Sequence, residues 1–467
     1  MYTPRVGVIT LGDPREEVPW REKEDRKHRE LLEKLKEIGE LEVYGTEKVV
    51  RSLKEAESEV EKLLVKKPDL ALLHIPVWTY PSITVRAAEV ASKEVALLVV
   101  YGDGVLSGIL ASGGALSQVG IRRELLWGPM NEENLGKLVK WARAAMTVKR
   151  LRGMTYGVFG GRALGMYTVV ADPSQIKMVF GVDVEHVDQL EILRKAEKIP
   201  DEEVEKHYKW LVERVGKIEF DGKILTEEKL KKQIRAYLAL KELIKEHGFD
   251  FCGVKCQPEL SDKYVNLCVA VALLNDPYDA EGPKEPIVCA CEVDHDGALT
   301  MQILKIVSGG KPATLMDFLV YDTEEELLYL GNCGGMATWF AETSDKPEEN
   351  LKNVHLLPQV QGKAGGAATQ YVAPEKTFTL ARLYRIKGEY HMVVLKAESV
   401  RVDRSKLKKS IWPWPHIVIK INREKFNKLI ETIRANHLHA VEGDYTEELS
   451  KICKLLNIKL HENNCRS

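Results

Sequence analysis

The chain has 467 residues, 44% of them hydrophobic, which is more than one ordinary core accommodates and sets an expectation of two or three domains. Its 68 basic and 70 acidic residues leave a formal charge of −2, so no net field recruits nucleic acid or an anionic membrane surface. The start, MYTPRVGVITLGDPREE, turns charged before a signal-peptide core builds, and no run reaches the roughly 18 apolar residues of a membrane span, so a soluble, cytoplasmic protein is expected.

The first predicted strand, RVGVITL (Arg5 to Leu11), ends on Gly12-Asp13-Pro14-Arg15, and a charged segment of helical period follows. Next come LEVYG, another helix, DLALLHIP, a helix, and VALLVVYGD. Each strand is an unbroken apolar run and each is followed by a helix, the pattern of a parallel sheet covered on both faces. Such sheets place ligands beyond the carboxyl ends of their strands, where Asp13, Arg15, Trp78 and Asp103 fall. After Arg152 a second alternation begins with TYGVFGG, continues through a long charged helical stretch, and ends on the apolar strands FDFCGVKC and PIVCACEVD. Beyond Gly309 the pattern shifts: TFTLARLYRI, YHMVVLKAESV and HIVIKI read as antiparallel strands. A final helix is predicted near Thr446 to Leu456. The expected fold is therefore α/β, with two Rossmann-like domains at 1–152 and 153–310, each with a parallel sheet, and a β-rich, antiparallel barrel-like domain at 311–467.

The common catalytic fingerprints are absent. Gly160, Gly161 and Gly165 miss the GxGxxG spacing, and GxSxG, GxxxxGK[ST] and HExxH do not occur. Eight cysteines lie in the second half; Cys252-x3-Cys256 with Cys289-x-Cys291 departs from paired CxxC zinc spacing, and buried, reduced strand thiols are the plainer reading. Cys333, in a glycine-rich turn, lacks an evident base for nucleophilic work.

Carboxylates remain. In IVCACEVDHDGALTMQIL the apolar run stops on Glu292, and Asp294, His295 and Asp296 follow at once. Asp317 directly follows an apolar residue in PATLMDFLVYD, and ANHLHAVEGDY sets His437 and His439 in a predicted loop. Two carboxylates with one imidazole suit Mn²⁺ or Mg²⁺ in an open site rather than a closed structural zinc. Taken singly, Glu292 and Asp317 also read as helix-capping or solvated acids, and His437 as a packed loop residue.

Five segments in order carry a resemblance to the L-fucose isomerase and L-arabinose isomerase superfamily, closest to its shorter fucose-isomerase-like branch. They are the GDPR turn; GGRALGMYTVVADPSQIKMVFGVDVEHVDQLEI; GVKCQPEL with CEVDHDGALTMQIL; MDFL; and ANHLHAVEGDY. The resemblance implies that Glu292, Asp317 and His437 bind a metal, with His439 the alternative register. It also implies that Glu292 and Asp317 are the catalytic acids. The metal it implies is Mn²⁺ or another divalent cation such as Mg²⁺ or Co²⁺, and the reaction is aldose–ketose isomerisation of an open-chain sugar through an enediol. An L-fucose-like 6-deoxyhexose or a pentose is the expected substrate. An L-arabinose-type isomerase and a non-catalytic sugar-binding protein on the same fold are the alternatives. Asp317 in place of a second Glu, and Gly331-Asn332-Cys333 where a further histidine would stand, favour the fucose-type set. Arg15, Trp78, Gln257, Trp412 and Trp414 are the candidates for holding the sugar. A homo-oligomer, hexamer or trimer, is implied, with the N-terminal domain of a neighbour completing each site. Asp294 and Asp296 are expected to hold the turn and cap the following helix.

Overall fold

The structure is a computed structural model and describes residues 2–462; Cys465 lies outside the described residues. The chain divides into two compact units, Met1–Arg150 with Glu447–Asn457, and Leu151–Thr446 with Ile458–Ser467.

In the first unit five strands form one parallel sheet, in the order Glu42–Gly45, Arg5–Thr10, Leu70–His74, Leu97–Gly102, Glu124–Trp127. The apolar runs are continuous because both faces are covered. Val6 and Val8 feed one core together with Leu70, Leu72, Leu97 and Val99. Ile9, Ala71, Leu73, Leu98 and Val100 feed the core on the opposite face. Alternate residues of each strand thus serve opposite layers, as the pleat requires. The late helix Thr446–Leu456 contributes to this unit: Lys140 and Glu447 pair at 2.7 Å, and Arg122 Nη1 donates to the Leu455 carbonyl at 3.0 Å.

The second unit holds two large sheets. Four parallel strands run in the order Cys289–Cys291, Phe251–Val254, Thr155–Phe159, Asp183–Val187. Seven strands form the other, in the order His416–Lys420, Leu327–Gly331, Ala313–Asp322, His437–Glu442, Thr377–Ile386, Glu389–Glu398, Lys459–Glu462. All of its pairings are antiparallel except the last. The expected β-rich region is therefore present, but its ladder has two ends and is not a closed barrel; one isolated bridge, Ser399 to Ile419, links the Glu389–Glu398 side to the His416–Lys420 strand. A single core joins both sheets, with Phe159 and Val254 from one and Met316, Leu380 and Leu438 from the other.

The helix His295–Val307 follows the parallel strand Cys289–Cys291 and is buried along its entire length. It packs on Phe251–Val254 and Cys289–Cys291 as well as on Ala313–Asp322, Thr377–Ile386 and His437–Glu442. A helix with apolar side chains all round, ALTMQILKIV, has this position open to it because every face meets protein. Its N-terminus, with the strand end before it, is where the two sheets meet.

Candidate active site

The strand Cys289–Cys291 does not run smoothly into its helix. Glu292 and Val293 both adopt left-handed backbone, φ +60° and +52°. For a non-glycine residue that conformation costs on the order of 1–3 kcal/mol, and for a β-branched valine it is exceptional. The surrounding fold enforces it: Val293 is 1% exposed, and its Cα lies 3.1 Å from where a Cβ on Gly253 would stand. Asp294 then caps the helix, its Oδ1 accepting from Gly297 N at 2.9 Å.

Asp317 and His437 come from neighbouring antiparallel strands and are direct partners in the register. The His437 ring stands between carboxylates. Its Nδ1 donates to Asp294 Oδ2 at 2.6 Å; its Nε2 lies 3.0 Å from Glu292 Oε2 and 3.5 Å from Asp317 Oδ1. Asn436, the preceding residue, places Nδ2 3.4 Å from Asp317 Oδ1. His437 is wholly buried, whereas the Glu292 and Asp317 side chains keep 13% and 27% of their surface exposed.

Burial alone would lower the His437 imidazolium, but the Asp294 carboxylate bonded to Nδ1, and those of Glu292 and Asp317 on the Nε2 side, push it up to about 10 in the cation-free protein. Asp317 is raised to about 6, chiefly by burial, with the Glu292 carboxylate adding to the rise and His437 and Asn436 opposing it. Asp294 moves the other way. Burial disfavours its charge, yet the Arg382 guanidinium and His437 hold it well below the usual carboxylate range.

These residues suit a divalent cation by their donors. His437 Nε2 is fully buried and makes no aligned hydrogen bond, although a carboxylate oxygen stands 3.0 Å off. Its other nitrogen is fixed on Asp294, the arrangement that orients a metal-bound imidazole. Glu292 and Asp317 add two hard oxygens on the Nε2 side. Among the described residues no group of three His, Cys, Asp or Glu side chains already surrounds a cation-sized point; the donors converge at hydrogen-bonding rather than ligating spacing. His439, the alternative register, is wholly buried opposite Leu315 and Ala381, and neither ring nitrogen makes a hydrogen bond.

The substrate candidates divide. Gln257, beyond the carboxyl end of Phe251–Val254, precedes a cis proline and donates Nε2 to Gln361 Oε1 at 2.7 Å. Trp412 is 36% exposed, and its carbonyl accepts from Gln370 Nε2 at 2.6 Å. Trp414 is buried; its Nε1 donates to Gln359 Oε1 at 3.0 Å, and its ring packs with Cys268, Cys291 and Cys333. Arg15 and Trp78 belong to the first compact unit, unlike Glu292, Asp317 and His437. The Arg15 guanidinium is half-exposed and forks onto buried Asp13, Nε to Oδ1 at 2.9 Å and Nη2 to Oδ2 at 2.6 Å. Trp78 is half-buried just past the Leu70–His74 strand.

The seven described cysteines are all buried. Cys252 and Cys289 face each other across paired strands, and Cys256 Sγ accepts from Leu267 N at 3.3 Å, with burial pushing its thiol up to about 12. Sequence reasoning passed over Arg382. TFTLARLYRI reads as an ordinary strand, and the carboxylate that neutralises its first arginine is 88 residues away.

Fold and site together define an α/β protein in which two part-exposed carboxylates face an oriented imidazole. The family model for "L-fucose isomerase, first N-terminal domain" matches residues 3–153, and that for "L-fucose isomerase, C-terminal domain" matches residues 330–463. A sulfoquinovose isomerase of Alkalicoccus urumqiensis is 25% identical over 338 residues, covering 71% of this chain and 69% of that protein. One from Priestia megaterium is 22% identical over 431 residues, 89% of this chain and 90% of its own length. An L-fucose isomerase of Klebsiella pneumoniae is 29% identical over 189 residues, 35% of this chain and 32% of that one. The chain belongs to the L-fucose isomerase family. His437 lies inside a matched segment, while Glu292 and Asp317 lie between the two, so their place in the site stands on geometry.

Proposed function

We propose that this sugar isomerase of the L-fucose isomerase family interconverts an open-chain aldose and its ketose with a divalent cation, Mn²⁺ by the family resemblance, held by Glu292, Asp317 and His437. One observation carries the reading: the buried, hydrogen-bond-free Nε2 of His437, oriented from behind by Asp294 and facing the two carboxylates. Bound there, a dication polarises the C1 and C2 oxygens of the sugar and offsets enediolate charge.

The chain's own residues supply the rest. Isomerisation moves one proton between C2 and C1 and another between their oxygens, which needs a base and an acid within reach of the same two carbons. Glu292 and Asp317 are partly exposed beside the same imidazole and take these roles as a pair. In the cation-free protein burial raises Asp317 to about 6, and a bound dication would lower it again toward the ionised form that a base needs. Asn436 steadies its Oδ1, and Asp294 keeps the His437 ring from turning. Gln257 and Trp412 supply an amide and an apolar ring to sugar hydroxyls and faces. Arg15 and Trp78 do so from the first unit of a neighbouring copy in a homo-oligomer, and the working compartment is the cytoplasm.

The substrate is a hexose modified at C6 or a pentose. The sulfoquinovose isomerases align over most of the chain and the L-fucose isomerase over about a third, which puts a sulfonated sugar beside L-fucose as the first to try. The deciding experiment measures ketose formation with Mn²⁺ across sulfoquinovose, L-fucose, D-arabinose and L-arabinose. Turnover on one of these, lost in Glu292→Gln, Asp317→Asn and His437→Ala proteins that keep the wild-type circular dichroism, is expected. Sugar binding without any ketose would instead mark a non-catalytic binding protein, and full turnover in Glu292→Gln would refute the assignment.

A further inference from the structure

Three consecutive carbonyls of the segment between the Thr155–Phe159 strand and the Pro173–Phe180 helix are each gripped by a different side chain. Arg382 Nη2 donates to Thr168 O at 2.9 Å, His295 Nδ1 to Val169 O at 2.8 Å, and Arg385 Nη2 to Val170 O. The two arginines grip in the other direction as well. Arg382 Nη1 pairs with Asp294 Oδ2, and Arg385 Nε with Asp296 Oδ2 at 2.9 Å. The strap Thr168–Val170 is thus bolted to the start of the His295–Val307 helix by two parallel Asp–Arg–carbonyl chains. Only one of them continues to the site. Asp294 Oδ2, the oxygen that Arg382 holds, is also the acceptor of His437 Nδ1. Thr168 reaches the site from the strap's side, its Oγ1 lying 3.4 Å from Asn436 Oδ1.

Arg382 and Asp294 are both wholly buried. Asp294 is held by Gly297 N on Oδ1 and by His437 Nδ1 and Arg382 Nη1 on Oδ2, and of these partners Arg382 is the one whose charge is permanent; a buried charge left without its partner rearranges its surroundings. With Oδ1 fixed by the helix cap, Arg382 holds the other oxygen, Oδ2, in the place where it meets His437 Nδ1. We propose that Arg382 is a positioning residue: through Asp294 it fixes the His437 ring with Nε2 toward Glu292 and Asp317, and through Thr168 it sets the strap beside Asn436. The proposal rests on the reading of Glu292, Asp317 and His437 as cation ligands. It extends that reading to a residue on another strand that touches neither substrate nor cation.

The matched control is built into the fold. Arg385 holds the same strap and a neighbouring aspartate but is not bonded to Asp294. Mn²⁺ binding to the full-length protein is measured by calorimetry for wild type, Arg382→Met, Arg382→Lys, Arg385→Met and Glu292→Gln. Imidazole ¹⁵N–¹H spectra of His437 are recorded on cation-free protein alongside. Expected is a loss of about tenfold to hundredfold in Mn²⁺ affinity for Arg382→Met, the range that removal of an outer partner of a metal histidine produces. A smaller loss is expected for Arg382→Lys, whose single ammonium cannot hold Asp294 and Thr168 in one fork. Arg385→Met should stay within about twofold of wild type, while both methionine variants free the strap to limited proteolysis. The His437 Nδ1–H resonance should be fixed in wild type and Arg385→Met and broadened or shifted in Arg382→Met. If Arg382→Met fails to fold, the double variant Asp294→Asn/Arg382→Met removes both buried charges, and the same affinity loss is expected of it. Equal losses in Arg382→Met and Arg385→Met, or none in either, overturn the proposal. Wild type that binds Mn²⁺ no better than Glu292→Gln overturns the ligand assignment instead. The His437 resonance then decides the positioning role alone: a change confined to Arg382→Met supports it, and no change ends it.

Discussion

Replacing His439 with leucine should stabilise the second unit and leave cation binding intact. His439 is wholly buried, neither ring nitrogen makes a hydrogen bond, and burial holds its imidazolium well below the ordinary histidine range, so the ring is neutral. A buried polar group without a partner costs about 1–3 kcal/mol against an apolar group of the same shape. Leucine is close to histidine in volume, and the site is tight: a Cβ on Gly297 would come within 2.7 Å of His439 Nε2. Crowding there takes back part of the gain, leaving a net of about 1–2 kcal/mol. For a unit of this size that raises the melting temperature by about 1.5–3 °C. The assay is paired: thermal and urea unfolding of His439→Leu against wild type, with Mn²⁺ calorimetry on both. His437→Leu is the contrast. It strands Asp294 and Glu292 without the imidazole they share, and should lose Mn²⁺ binding. A His439→Leu protein with reduced Mn²⁺ affinity and no gain in stability would refute the reasoning, because it would make His439 a ligand or the centre of a polar network that the fold needs.

Three further outcomes are expected. Cys252→Ala with Cys256→Ala should leave bound metal unchanged by elemental analysis and lower stability by about 2 kcal/mol in urea unfolding, the loss of two buried sulfurs; loss of one zinc per chain would revive a thiolate site. Arg15→Ala should lower turnover at least about tenfold, for a lost charged contact to the sugar, with Mn²⁺ affinity unchanged; verified mixed oligomers with Glu292→Gln should recover activity, and none would put Arg15 outside a shared site. His74 is wholly enclosed and burial lowers its imidazole to about 3, so the neutral ring stabilises the first unit fully above the unfolded value near 6.5, and that contribution falls by about 1.4 kcal/mol per pH unit between about 6.5 and 3; His74→Phe should flatten the acid limb of a stability–pH curve, and an unchanged limb would contradict the assignment.

The parallel sheets were legible because burial on both faces leaves no polar alternation to hide them. RVGVIT is apolar on both faces, with Val6 and Val8 turned to one layer and Ile9 to the other. The unit boundaries were less so. The helix near Thr446 to Leu456 is amphipathic, and its pattern shows that it packs but not where. Its pairing with Lys140 and Arg143 joins residues some three hundred positions apart. The β-rich region showed its strands through alternation, but whether a ladder closes depends on the two outermost strands, whose sequences look like any other.

The site divides along the same line. Glu292 was visible because an apolar strand ended on a carboxylate. The left-handed pair Glu292–Val293 was not, since neither residue type favours that backbone and only the packing around Val293 imposes it. The two histidines show most plainly what pattern withholds. His437 and His439 are two apart on one strand, so they share a face, and both are wholly buried. One meets Asp294, Glu292 and Asp317 while the other meets Gly297. Two residues of strand advance the chain by about 6–7 Å, further than an imidazole can reach across. The difference between an imidazole set among three carboxylates and a neutral core residue is thus fixed by which rung of the ladder faces the helix cap. That rung is set by the pairing of His437 with Asp317 and by a capping aspartate 143 residues earlier in the chain.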